Sequence, residues 1–305
     1  QIEGAIESFR ALGEPHREVI AWSVLGNAAW LEGDYEEAMR CNEQTIEILR
    51  ATGQRNSIGQ AYGNIAVVLL AQGRLEAARD AFESQLAFSR ECGIARGEGV
   101  ALLNLASVMS YLGDEAAARR SGARAVELLH GMEAWFPLGF AMRILARLER
   151  QVGDLEAAER WAEEALDVAS KVPRASALAD SHLLLGVLRA EQGDQEGAAR
   201  QLEAATGIGR DLEDPGLLLQ CHIEGATHLG WDPAEALGRW SEDMGERAVT
   251  AQLELRYALW RLGREEPHLH AAQEALAHLR EHAPEAYRDS MVDNVPLYRQ
   301  VLRGD

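Results

Sequence analysis

The sequence predicts an all-α solenoid of antiparallel helix pairs, and a 40-residue internal repeat is the main reason. Five short segments open with a glycine and reach a shared alanine five residues later, starting at Gly33, Gly73, Gly113, Gly153 and Gly193. Apolar residues on both sides of each segment recur with helical spacing. The chain of 305 residues is 47% hydrophobic and 26% charged, so it carries enough apolar material for a packed core. Such a fold grows by stacking one unit on the next.

Each repeated segment is predicted to be the turn between the two helices of a pair. Glycine ends the first helix because it enters the left-handed conformation without a Cβ clash. An aspartate follows at most of these turns, as at Asp34 and Asp114, where it can cap free N–H groups of the next helix. Glutamates then lie in the first turn of that helix, where the helix dipole favours negative charge. The shared alanine allows the two helices to approach closely.

An amphipathic pattern defines one helix before each turn and another after it. The first helices are predicted at residues 19–31, 58–70, 100–112, 139–152 and 178–190, with apolar residues near positions i, i+3, i+4 and i+7. The second helices are predicted at residues 35–51, 75–91, 115–130, 155–170 and 195–211. Residues 247–262 and 268–281 predict a further pair, and residues 284–302 a closing helix broken at Pro296.

The periodicity divides residues 1–305 into one continuous repeat domain. We expect a truncated repeat, five regular repeats, a shortened repeat, a divergent repeat and a C-terminal cap, at residues 1–14, then 15–54, 55–94, 95–134, 135–174 and 175–214, then 215–246, 247–283 and 284–305. Terminal units are expected to be atypical because they cover an open apolar end. The chain opens at Gln1 inside a helical pattern, so we expect it to be the tail of a longer protein.

Charge and cysteine usage restrict the partners and the compartment. The formal net charge is −19 and the pI is about 4.9, so the overall field repels nucleic acid and anionic membranes. Neither is expected as a direct partner. Three scattered cysteines, Cys41, Cys92 and Cys221, do not form a disulfide framework. Without a signal peptide or an apolar run of about 18 residues, the expected location is the cytoplasm.

The repeat resembles the tetratricopeptide repeat family. Consensus positions of that family match Trp22, Leu25, Gly26 and Ala38, then Tyr62, Ile65, Ala66, Ala78 and Phe82, then Leu145, Ala146, Ala158 and Ala165, then Leu185, Gly186, Ala198 and Ala205. The 40-residue unit and the stretch of residues 61–66 are similar to the longer variety in Leu-Gly-Asn repeat proteins, kinesin light chains and bacterial signalling regulators. This resemblance implies a right-handed superhelix whose first helices line a concave groove.

The resemblance also implies which residues face the groove, and the fourth repeat is unusual there. Its inward positions hold Arg143, Arg147 and Arg150, spaced i, i+4 and i+7 and therefore on one helix face. Three guanidinium groups suit a carboxylate, an acidic peptide or a phosphate. Phe140, directly before them, can add an apolar anchor. In the alternative, the arginines pair with acidic neighbours such as Glu149 and Glu191 and simply solvate the face.

Two further groups of residues complete the predicted site. Asn64 and Asn104 share a repeat position at which related repeats use asparagine to bind a peptide backbone, and Asn27 lies about one turn further along its own repeat. Trp30 is another inward position. An interhelical hydrogen bond within the stack is the alternative role of the asparagines.

Other chemistry has little support in the sequence. His278 and His282 lie four residues apart with Glu274 nearby, which is a possible metal-ligand spacing. Scattered histidines on an exposed helix are the simpler interpretation, so we expect no metal. No phosphate-binding loop or nucleophile motif occurs. We therefore expect no cofactor and no enzyme.

The predicted function is a protein- or peptide-binding scaffold or sensor. The stretch of residues 292–302 is similar to the close of repeat regions that follow kinase, nucleotide cyclase or ATPase domains in bacterial signalling proteins. That similarity implies the C-terminal regulatory region of such a protein. The alternative is the effector- or peptide-sensing part of a transcriptional regulator.

Overall fold

The computed structural model describes residues 2–240 and 248–304, and all regular elements in these ranges are helices. Ahead of the C-terminal region they are α1 (Ile2–Leu12), α2 (Pro15–Leu31), α3 (Tyr35–Ala51), α4 (Arg55–Ala71), α5 (Leu75–Glu91), α6 (Ala95–Tyr111), α7 (Glu115–Gly131), α8 (Trp135–Val152), α9 (Leu155–Ser170), α10 (Ala175–Glu191), α11 (Gln195–Asp211) and α12 (Pro215–His228). The C-terminal region contains α13 (Pro233–Trp240), α14 (Val249–Gly263), α15 (Glu266–Glu281), a 3₁₀ turn (Glu285–Tyr287), α16 (Ser290–Asn294) and α17 (Pro296–Arg303).

Consecutive helices pack as antiparallel pairs, which confirms the predicted fold class. The second helices match the prediction, except that α7 continues to Gly131. The first helices begin earlier than predicted, for example at Pro15 rather than residue 19. The opening turns of α2 and α4 carry polar residues, which contribute no apolar periodicity. The shortened repeat predicted at 215–246 ends among residues 241–247, which lie outside the described residues.

The turns have the predicted chemistry. Gly33 and Gly193 adopt φ of 81° and 88°, in the left-handed region. The Asp34 carboxylate accepts a hydrogen bond from the backbone N–H of Glu37 at 3.0 Å. The same cap is made by Asp114, Asp154 and Asp194. Capping therefore fixes where α3, α7, α9 and α11 begin.

The first helices form the inner wall of the solenoid. Successive first helices contact one another, namely α4 to α6, α6 to α8, α8 to α10 and α10 to α12. Between α2 and α12, no two second helices contact each other to that extent. In a curved stack the elements on the concave side are crowded together, so the first helices are the concave ones. We call this surface the inner wall.

The C-terminal helices turn back onto the second and third pairs. One continuous buried cluster joins the two regions and contains Leu69, Phe82, Val108, Leu253, Leu276, Met291, Tyr298 and Val301. The predicted break of the closing segment at Pro296 is found, because α17 begins there. Before the break, the segment forms the 3₁₀ turn and α16 rather than a continuous helix. We call α15 to α17 the C-terminal tail.

Hydrogen bonds fix the C-terminal tail on two turns of the solenoid. His278 Nε2 bonds the backbone carbonyl of Gln72 at 2.8 Å, and the backbone N–H of Glu76 donates to the carbonyl of His282 at 3.0 Å. At the next turn, the Asn294 side chain donates to the Gly113 carbonyl at 3.0 Å, and the Tyr287 hydroxyl donates to Asp114 Oδ2 at 3.1 Å. The tail thus lies on the second and third pairs.

Within residues 2–240 and 248–304, no helix has the length and apolar character needed to cross a membrane.

Candidate binding site

The predicted arginines lie on α8, the inner-wall helix of the fourth pair. The opposite face of α8 is apolar and buried, with Leu138, Leu145 and Leu148 almost inaccessible to solvent. This packing fixes the rotation of the helix and directs the remaining face toward the inner wall. The three arginines of that face nevertheless have three different environments.

Arg150 is held by the next inner-wall helix. Its guanidinium makes a two-pronged ion pair with Glu191 of α10, with Nη2–Oε1 at 2.6 Å and Nε–Oε2 at 2.9 Å. Burial alone would lower the pKa of Arg150, but the hydrogen bond and charge of Glu191 outweigh it and raise the pKa. The alternative in which arginines pair with acidic neighbours is therefore correct for Arg150.

Arg143 is buried and poorly paired. It is only 6% exposed, and its one ion pair with a described residue is a long contact of 3.4 Å between Nη2 and Asp180 Oδ2. Its guanidinium lies 5.3 Å from the ring centroid of Phe140. Burial lowers the pKa of Arg143, Asp180 opposes that shift, and the neighbouring charge of Arg147 adds to it. A guanidinium has five N–H donors, so most of the donor capacity of Arg143 is unused by the described residues.

Arg147 is exposed on the inner wall. Among the residues that the structure describes, no side chain makes a hydrogen bond or ion pair with it. Glu149, the acidic neighbour considered from the sequence, pairs instead with Arg119 of α7. Arg147 is therefore the cation of the stripe that is most available to a ligand.

The three asparagines are also available. Asn27 is exposed, and Asn64 and Asn104 are half-buried on the adjacent inner-wall helices α4 and α6. None of their side chains hydrogen-bonds to another residue in the described ranges. The interhelical hydrogen bond considered from the sequence is therefore not found there.

The two aromatic residues predicted for the site are partly exposed to solvent. Trp30 is 40% exposed in the last turn of α2, and Phe140 is 38% exposed. The structure brings Phe140 into contact with Arg143, whereas no described contact joins Trp30 or Asn27 to α8. The predicted residues therefore form a compact group on α8 and separate positions elsewhere along the wall.

Sequence reasoning missed Glu254, an acidic residue that α14 brings to the same interior. Glu254 is exposed, yet it lies within electrostatic reach of Arg147, Arg150 and Glu224. Its desolvation by the surrounding protein raises its pKa, and the two arginines oppose that shift. No sequence signal indicates this placement, because α14 reaches the inner wall only through the return of the C-terminal region.

Metal and nucleophile chemistry have no support in the described residues. His278 Nε2 is engaged by the Gln72 carbonyl, and its ring stacks on His282 at 4.2 Å. No group of three or more potential ligands that could hold a metal occurs within residues 2–240 and 248–304. Burial raises the pKa of Cys41 to about 12 and that of Cys221 to about 11, so both thiols stay protonated.

The helix pairs, capped turns and inner wall define a helical repeat protein. The tetratricopeptide repeat family matches the sequence over residues 57–129 and 140–211, and again over residues 19–43. These matches together cover more than half of the chain, which belongs to the tetratricopeptide repeat family. No curated protein sequence matches it.

Solved structures confirm the fold at low sequence identity. The Rap conjugation gene regulator of plasmid pLS20 in complex with the Phr* peptide is 11% identical, with a TM-score of 0.74 over 90% of this chain and 76% of that one. A Rap protein complexed with Competence and Sporulation Factor is 13% identical, with a TM-score of 0.66 over 94% and 74%. A kinesin light chain repeat protein of Podosopora anserina is 18% identical, with a TM-score of 0.50 over 65% and 97%.

Proposed function

We propose that this chain binds a segment of a partner protein or a peptide along its inner wall, with an acidic group of the partner held by Arg147 and Arg143. The observation that carries this proposal is the exposed guanidinium of Arg147, which makes no ion pair with a described residue. In a chain with a net charge of −19, a cation on a concave surface that forms no ion pair with a described residue distinguishes this part of the inner wall.

The pair of arginines fits an anion with several acceptor atoms. Arg143 lies one helical turn before Arg147, and a long 3.4 Å contact with Asp180 satisfies little of its donor capacity. A carboxylate accepts two parallel N–H bonds from one guanidinium and more from a second. Phe140 offers an adjacent apolar surface for the neighbouring side chain of the ligand.

The asparagines extend the proposed contact along the groove. Asn64 and Asn104 occupy equivalent positions on α4 and α6, and their amides have free donors and acceptors with respect to the described residues. A side-chain amide can pair with both the N–H and the C=O of an extended backbone. This arrangement supports a peptide-like ligand.

The wider setting is also part of the proposal. We place the chain in the cytoplasm as the C-terminal regulatory region of a larger bacterial signalling protein of kinase, cyclase or ATPase type. Peptide sensing within a transcriptional regulator is a second candidate. It is supported by the likeness to the Rap conjugation gene regulator, whose structure contains the Phr* peptide.

Fluorescence anisotropy with rhodamine-labelled tetraglutamate tests the proposed site. The wild-type chain should bind tetraglutamate and not tetraglutamine, and Arg147→Glu should abolish that binding. Arg200→Glu makes the same charge change at an exposed position on the second helix α11 and should leave binding unchanged. Equal affinity of wild type and Arg147→Glu for tetraglutamate would overturn the proposal.

A further inference from the structure

The N-terminal half of α14 lies against the same part of the inner wall as the arginines. Leu253 of α14 shares a buried cluster with Val108 of α6, and Leu255 shares another with Ile223 of α12. The arginines lie on α8, which stands between α6 and α12 in the row of inner-wall helices. These two contacts therefore place α14 across the part of the inner wall that contains α8.

Glu254 lies between Leu253 and Leu255 in α14, so the two buried clusters fix its position on the inner wall. It makes no hydrogen bond or ion pair with another residue in the described part of the chain, but it lies close enough to Arg147 and Arg150 for their charges to act on it. Arg150 already has Glu191 as its partner. The chain thus places one of its own carboxylates opposite the cation that the proposed partner would use.

The C-terminal tail holds α14 in this position. α15 packs on α14, and His278 of α15 bonds the turn at Gln72. A Cβ atom on Gly73 would lie 3.1 Å from the Cβ of Val249, at the start of α14. The tail is fixed again at the following turn by Asn294 and Tyr287. The position of Glu254 therefore depends on contacts far from the arginines.

We infer that Glu254 is an intramolecular competitor for the anion site, so that the docked C-terminal tail lowers the affinity of the inner wall for an acidic partner. This inference rests on the proposed function. Competition does not require Glu254 to contact Arg147 directly, because a carboxylate near the guanidinium repels a second one and weakens its net attraction. Undocking of the tail would move the competing charge away from Arg147 and raise the affinity for the acidic partner. Docking of the tail would thereby regulate the binding site.

Glu254→Gln tests the competition with the same tetraglutamate probe. Removal of the carboxylate should tighten binding about fivefold at low ionic strength, and less at high salt. Glu274→Gln is the matched control, because it makes the same charge change at an exposed site on α15. An unchanged affinity in Glu254→Gln, or an equal gain in Glu274→Gln, would overturn the inference.

Loosening the tail tests its role separately. Combined Tyr287→Phe and Asn294→Ala removes two of the bonds that fix the tail and should also tighten binding of tetraglutamate. The same pair of changes should give no further gain in a Glu254→Gln background. A full further gain there would show that the tail acts without Glu254. Failure of Arg147→Glu to reduce binding would instead contradict the proposed function itself.

Discussion

The Nε2 atom of His278 lies 2.8 Å from the backbone carbonyl oxygen of Gln72, and so joins two residues that are 206 positions apart. Because the carbonyl can only accept, this ring nitrogen must carry a proton. The bond anchors the C-terminal tail at the turn between α4 and α5. The second helix pair and the end of the chain therefore belong to one folded unit.

Removal of this imidazole should loosen the C-terminal tail. We expect His278→Ala to lower the free energy of unfolding by about 1 kcal/mol, since it removes a hydrogen bond and leaves the Gln72 carbonyl without that partner. Hydrogen exchange of the Glu76 amide, which donates to the His282 carbonyl, should accelerate. His270→Ala, at an exposed position of the same helix, should change neither quantity. Unchanged exchange at Glu76 in His278→Ala would contradict this anchoring role.

Two equivalent aspartate caps should differ in their contribution to stability. Asp154 caps its helix only, whereas Asp114 caps its helix and also accepts a hydrogen bond from Tyr287 at 3.1 Å. We expect Asp154→Ala to cost about 1 kcal/mol and Asp114→Ala about 1 kcal/mol more, as measured by urea unfolding. In a Tyr287→Phe background the two costs should become equal. A difference that persists there would show that Tyr287 is not its cause.

A substitution at Tyr298 should not lower the stability of the chain, in contrast to the substitutions above. This residue is 2% exposed, and its hydroxyl has no hydrogen-bond partner among the described residues. Burial raises the pKa of Tyr298 well above its usual value. Tyr298→Phe removes the unpaired hydroxyl while keeping the ring, so we expect stability to be unchanged or to rise by up to about 1 kcal/mol. A clear loss of stability in thermal unfolding would show that the hydroxyl has a partner.

The raised pKa of Glu254 predicts how stability depends on pH. The folded chain holds the proton of this carboxyl to a higher pH than the unfolded chain does, so its contribution favours folding at low pH and is lost as the pH rises through the folded-state pKa. Glu254→Gln should therefore be more stable than wild type at neutral pH, by at most about 1 kcal/mol because the side chain is exposed. This advantage should disappear in acid, below the unfolded-state pKa. A constant difference from neutral to acid pH would contradict the shift.

Most of the repeat architecture could be predicted because each pair carries its own boundary signals. α3 runs over Tyr35–Ala51 as predicted, since an aspartate cap precedes it and a glycine turn follows it. α2 begins at Pro15, ahead of the periodic residues, because its first turn is polar. Local chemistry thus identified the helices and located the ends that carry a cap or a glycine.

The pairing of the arginines could be predicted only in part. The partners of Arg143 and Arg150 lie 37 and 41 residues further along the chain, which is about one repeat unit. The sequence indicated Glu191 as a candidate partner of the arginines, and Glu191 pairs with Arg150. Which arginine stays unpaired depends on side-chain positions that spacing alone does not specify.

The return of the C-terminal tail could not be predicted, because it joins residues about five repeats apart. One local exception marks the place where it docks. The second turn has Arg74 where the other regular turns have aspartate, and there the carbonyl of His282 bonds the Glu76 amide in the first turn of α5. A missing cap is a weak signal on its own, since many helices begin without one.

Nuclear magnetic resonance of the arginine side chains tests the central claim most directly. The Nε–Hε signals of an ¹⁵N-labelled chain can be followed during titration with tetraglutamate, with Arg147→Lys used to assign the signal of Arg147. Binding at the inner wall predicts that the signals of Arg147 and Arg143 shift while that of Arg200, on the second helix α11, does not. Shifts confined to Arg200 and other arginines outside the inner wall, or no shift at Arg147 on saturation, would contradict it.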